Sequence, residues 1–107
     1  MKKSDSDFIT AVPANAVQPN QMTKVDINGQ PVILTRWQGG IVAFSARCPH
    51  ASADLSEGEL YRGKIECPDH GYVFSVENGR VLYPSDEVCR LRRFEVKEDG
   101  GEVKVKL

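Results

Sequence analysis

Five glycine-bearing pairs cut this chain into short pieces: Asn28-Gly29, Gly39-Gly40, Glu57-Gly58, Asn78-Gly79 and Gly100-Gly101. Each is a turn signal, because glycine, and asparagine next after it, accepts the positive φ that tight turns impose. Helices have little room between them. The intervening runs are rich in Val, Ile, Thr, Phe and Trp, residues that fit a pleated, half-buried surface. "TKVDI" (23–27), "PVILTRW" (31–37) and "IVAFSA" (41–46) read as strands, the first two joined at Asn28-Gly29 as a two-residue hairpin. "KIEC", "YVFSV", "RVLY", "RLRRFEV" and "EVKVKL" repeat the habit further on. The last two make a second hairpin, with Val103, Val105 and Leu107 alternating onto one face. "SADLSEGEL" tolerates helix best, yet it is too short to be more than a turn. The expectation is an all-β domain of small antiparallel sheets.

A length of 107 residues is one domain's worth, so 1–107 is read as a single domain, with "MKKSDSD" (1–7) a loose polar end. Fourteen Lys and Arg against fifteen Asp and Glu leave a formal charge of -1, which offers no field to attract nucleic acid or an acidic membrane. No apolar run approaches the roughly 20 residues that span a bilayer, and the first residues lack a signal-peptide core. Three cysteines are an odd count for a secreted, disulfide-stapled domain. A soluble, cytoplasmic protein is expected.

Chemistry concentrates in residues 47–74, "RCPHASADLSEGELYRGKIECPDHGYVF". Both histidines and two of the three cysteines fall there, as Cys48-x-His50 and, after 16 intervening residues, Cys67-x-x-His70. Each pair sits on a turn between strands, beside Pro49 or Pro68. Two sulfurs and two imidazoles brought together allow two pairings. One is a closed tetrahedral zinc site, although zinc knuckles usually present Cys-x2-4-Cys turns. The other is a two-iron cluster with Cys48 and Cys67 on one iron and His50 and His70 on the other.

"CPH", sixteen residues, then "CPDHG" resembles the Rieske iron-sulfur signature, and the likeness extends over most of the chain, through "NGRVLYP" to the closing β pair. The resemblance implies one [2Fe-2S] cluster per chain, ligated by Cys48, His50, Cys67 and His70, because in Rieske centres two His replace two Cys on one iron. It further implies three small antiparallel sheets with two cluster-binding loops, a cluster-binding portion at about 42–84, histidines binding through Nδ1 with Nε2 at the surface, and Pro84 in a loop covering the cluster. Respiratory and photosynthetic Rieske proteins carry two extra cysteines, bridged to one another, where this chain has Ala53 and Asp69. They also have a Ser and a Tyr that hydrogen-bond sulfur, where Tyr72 and Phe74 stand here. Fewer donors to sulfur, and a carboxylate nearby, disfavour adding an electron and pull the potential toward the bottom of a range of about -150 to +300 mV. This is the pattern of the low-potential ferredoxin branch.

A Rieske-type oxygenase needs a second iron on two further histidines and a carboxylate, and this chain has no further histidine. There is no Gly-rich phosphate cradle for a nicotinamide or flavin either. One-electron carriage remains, and the chain is not itself an enzyme. The resemblance implies a flavin-containing reductase as donor and a terminal oxygenase of the ring-hydroxylating dioxygenase type as acceptor. Alternatives are the small subunit of an assimilatory nitrite reductase, which often lacks the four ligands, and a non-redox binding module closed by zinc or a static cluster. Cys89 is expected as a small buried hydrophobe, Trp37 and Phe44 as core, and Arg90 and Arg92 on a solvated strand face. Exposed imidazole protons on an oxidised cluster imply a midpoint potential that depends on pH in the alkaline range.

Overall fold

The computed structural model describes residues 7–49, 53–69 and 71–107; residues 1–6 and 50–52 and His70 lie outside the described residues. Ten strands run in chain order: β1 (Ile9–Pro13), β2 (Thr23–Ile27), β3 (Gln30–Trp37), β4 (Gly40–Ser45), β5 (Glu59–Tyr61), β6 (Lys64–Glu66), β7 (Val73–Ser75), β8 (Val81–Tyr83), β9 (Arg93–Asp99) and β10 (Glu102–Lys106). All of their pairings are antiparallel. They form three groups. β1-β10-β9 and β2-β3-β4 join where Ala43 and Phe44 of β4 pair with Phe94 and Arg93 of β9, which makes a six-stranded sheet in the order β1-β10-β9-β4-β3-β2. β5-β6-β7-β8 form the third. The expectation of an all-β domain of antiparallel sheets holds, but the three small sheets expected are two, because β4 and β9 fuse the first two groups into one.

The hairpins fall where the turn dipeptides place them. Asn28 and Gly29 both have positive φ, 53° and 84°, as a two-residue turn between twisted strands requires. The N–H of Gly29 also donates to Asp26 Oδ1 at 2.8 Å. β1 and β5 are strands the periodicity did not single out. β5 uses the end of "SADLSEGEL", whose middle is only a 3-10 turn, Leu55–Glu57. β9 begins at Arg93 and not at Arg90, because Leu91 spends its N–H on the turn before β8, donating to Gly79 O at 2.8 Å, and Arg92 O only accepts from Ser45 N–H at the end of β4, at 2.9 Å. Val103 and Val105 are fully buried as expected, whereas Leu107 lies past the end of β10 and is exposed. Of the expected loose end only Asp7 is described, within 4.0 Å of Lys106 Nζ.

Two cores share β3 and β4. Successive side chains on a strand face opposite ways. Val32, Leu34 and Ala43 therefore enter a core with Ala14, Val17, Ile27, Phe94, Val103 and Val105. Ile33 and Phe44 point the other way and join Leu55, Ile65, Phe74, Val76 and Leu91 under the four-stranded sheet. This is why "VILT" reads as an unbroken apolar run: both of its faces are covered. Burying a side chain such as Phe44 or Ile33 contributes about 1.5–3 kcal/mol. Phe44 is core, as expected. Trp37 is half-buried at the seam between the sheets, because its Nε1–H donates to Glu77 Oε2 at 2.6 Å and its ring lies over Gly63.

Candidate metal centre

The two Cys-His segments are the tips of two hairpins closed alike. In the first, Arg47 pairs antiparallel with Asp54, Cys48 N–H donates to Ala53 O at 3.0 Å, and Leu55 N–H donates to Ala46 O at 2.7 Å. In the second, Glu66 of β6 pairs with Val73 of β7, and Cys67 N–H donates to Tyr72 O at 2.7 Å. Each cysteine is thus the last paired residue of its strand, followed at once by Pro49 or Pro68. Proline opens both tips without loss, since it has no N–H to give a ladder.

Cys48 and Cys67 are buried, 4% and 1% exposed, in the same apolar core as Leu55, Ile65 and Phe74. Their side chains are neighbours in that core. Burial, reinforced by Cys48, pushes the Cys67 thiol up to about 11, while the N–H of Asp69, 3.4 Å from Sγ, works in the opposite direction. A thiol buried like that of Cys67 resists ionising by itself, and a bound cation deprotonates a coordinating thiol outright. No disulfide joins Cys48, Cys67 or Cys89. His50 and His70, expected as the other two ligands, lie outside the described residues. The donor chemistry present, a buried sulfur pair with an amide aimed at one sulfur, fits an iron-sulfur group.

The surroundings include residues that sequence reasoning passed over. Asp54 caps the 3-10 turn behind the first tip, accepting from Ser56 N–H at 3.0 Å and Ser56 Oγ–H at 2.7 Å, and it pairs with Lys24 Nζ. An Asp ahead of "LSE" is the usual cap signal and could have been read. The loop after β8 reaches back over the second tip. Burial above all, and the Glu87 carboxylate beside it, raise the Tyr72 phenol, and Cys89 packs against the cysteine-bearing core, half-buried where full burial was expected. Pro84, in this same loop, is half-buried. Arg90 and Arg92 are exposed but precede β9. Arg90 Nη2 donates to Asn78 O at 3.0 Å, and Arg92 lies over the Phe94 ring.

Lys24 above all, and the Ser56 bonds, hold the Asp54 carboxyl down at about 2, against an ordinary 3.8. A carboxyl depressed by folding contributes stability above its unfolded value and loses that contribution as pH falls through its folded one. The gap between wild-type and Asp54→Asn unfolding midpoints, followed by circular dichroism, is expected to stay constant from pH 8 to about 5 and to close between about 4 and 2. A gap that widens in acid refutes the assignment.

Residues 7–103 match the family described as the Rieske [2Fe-2S] domain. Ferredoxin CarAc of Metapseudomonas resinovorans is 36% identical over 95 residues, covering 86% of each chain. A solved structure described as the complex of reduced oxygenase and oxidized ferredoxin in carbazole 1,9a-dioxygenase contains a chain that superposes with a TM-score of 0.83 at 34% identity, over 92% of both. Apoptosis-inducing factor 3 of Mus musculus is 31% identical over 91 residues, but the match spans only 15% of that protein's length. Among the described residues no helix is long and apolar enough to cross a membrane.

Proposed function

This chain belongs to the Rieske [2Fe-2S] domain family, and from that membership we propose that it is a one-electron carrier with Cys48, His50, Cys67 and His70 as its ligands. The observation that carries the reading is the pair of alike hairpins, each ending in a buried cysteine, with the two sulfurs adjacent. Cys48 and Cys67 would hold one iron and His50 and His70 the other, within a cluster-binding portion spanning about 42–84 of a single domain. When bound, the cluster supplies a site that takes up and returns a single electron.

The chain's own residues set the conditions. Leu55, Ile65 and Phe74 keep water from the sulfurs. The paired strands behind both tips hold the cysteines at fixed separation, so little moves when charge changes. The Asp69 amide donates to Cys67 Sγ. Phe74, unlike a tyrosine, has no hydroxyl to add. This sparse donation supports a low potential.

The full ferredoxin-length match and the ferredoxin–oxygenase complex favour a terminal oxygenase of the ring-hydroxylating dioxygenase type as acceptor. We take a flavin-containing reductase as donor, and the cytoplasm as the compartment, in keeping with the odd cysteine count. An anaerobic reductive titration tests the carrier reading. One electron per chain, a midpoint below zero and a pH-dependent midpoint above about pH 8 are expected. A colourless protein with stoichiometric zinc overturns the reading, and a potential flat from about pH 6 to 10 removes the histidine ligands from it.

A further inference from the structure

Away from the ligand tips, the four-stranded sheet carries a groove of about 420 Å³ on its solvent face. Its charged residues are Arg62, Lys64, Arg80 and Glu77. Lys64 pairs with Ser75 across β6 and β7, and Ser75 N–H donates to Arg80 O at 2.9 Å. Lys64, Ser75 and Arg80 therefore stand in one row, with a small hydroxyl residue between two long cations. Among the described residues, the side chains of Arg62, Lys64 and Arg80 have no ion pair. Glu77, the acidic residue of the groove, has its carboxylate bonded to the Trp37 indole. Leu82, 43% exposed, adds an apolar patch.

We propose that this groove docks an acidic, extended segment of a protein partner. Three cations with one engaged carboxylate leave the groove positive in a chain whose net charge is -1, a local field of the kind that selects and orients an anionic partner. Lys64 and Arg80 are two inter-strand steps apart, roughly 10 Å between their backbones, so an extended acidic segment, with a carboxylate about every 6.6 Å at alternate positions, offers each cation its own partner where a single small anion must be shared between them. Lys64 also lies three residues, about 10 Å along the strand, from Cys67. A partner held in the groove leaves the ligand tips uncovered, so tethering and electron exchange use different faces.

The test is calorimetric titration of the oxidised holoprotein with an acetylated hexaglutamate peptide, alongside the NMR signal of the indole N–H of Trp37, the chain's single tryptophan. Saturable binding that shifts this signal is expected, weakening at least about tenfold between about 25 and 250 mM salt. Arg80→Glu should weaken it at least about tenfold, whereas Lys104→Glu, the same charge change on β10, should alter it less than about twofold. Arg80→Gln and Lys64→Gln, expected to give smaller losses, keep the test decisive if the reversal variant unfolds. Equal losses in the Arg80 and Lys104 variants, no binding at about 1 mM peptide, or displacement by free glutamate or inorganic phosphate at matching concentration would each overturn the proposal. None of these outcomes bears on the carrier reading, which the reductive titration tests alone.

Discussion

The Cys67→Ser protein is expected to come off purification nearly colourless, retaining less than about a tenth of the wild-type iron and acid-labile sulfide. Cys67 is the more deeply buried of the two sulfurs, it touches Cys48, and the Asp69 amide is aimed at it. Serine is nearly isosteric, so packing against Ile65 and Phe74 is preserved, but an alkoxide in an apolar pocket is far harder to form than a thiolate. Cys48→Ser should behave alike. Cys89→Ser should keep wild-type iron and colour, because Cys89 is a half-buried packing residue outside both hairpin tips. Circular dichroism separates ligand loss from unfolding, since most of the β structure lies in the six-stranded sheet away from the tips. A red-brown Cys67→Ser protein with full iron content removes Cys67 from the ligand set.

The sequence features that proved legible are local ones. Asn28-Gly29 dictates a turn through backbone sterics alone, and Val103 and Val105 declare a buried face through spacing alone. The two Cys-Pro steps mark where Cys48 and Cys67 close their hairpins. What escaped is long-range. Periodicity says that a face is buried but not against what, so it did not reveal that Ile33 and Val32 enter different cores, or that Ala43 and Phe44 pair with β9. β5 has three residues, too few for alternation to register. "RLRR" reads as strand by composition, yet Leu91 and Arg92 spend their backbone groups on Gly79 and Ser45. Glu87 acts on the Tyr72 phenol from fifteen residues away, through a loop whose path no local rule encodes.

That docking of residues 90–93 on the β7–β8 turn makes Gly79 a position where a single methyl should do heavy damage. Gly79 has φ of 79°, and a Cβ there would come within 2.5 Å of Leu91 O. The carbonyl is not at liberty to retreat. Leu91 N–H bonds Gly79 O at 2.8 Å, Arg93 Nε bonds Val76 O at 2.9 Å and Arg90 Nη2 bonds Asn78 O, so the two segments are laced together on both sides of the clash. A left-handed alanine costs about 1–2 kcal/mol, and forced backbone displacement adds about 1–3 kcal/mol. Gly79→Ala is therefore expected to lose about 3 kcal/mol, a fall in Tm of about 12–24 °C for a domain of this size. Gly100→Ala supplies the comparison, since its φ is also left-handed, at 62°, but nothing lies within 4 Å of the added methyl. It should lose only the conformational part, about 1 kcal/mol or 4–8 °C. Leu91 belongs to the core that holds Cys48 and Cys67, so Gly79→Ala should also surrender iron to a chelator faster than Gly100→Ala does. Equal melting losses in the two variants would mean that the turn and residues 90–93 are not tightly joined, and with that the second hairpin would lose its main anchor to the large sheet.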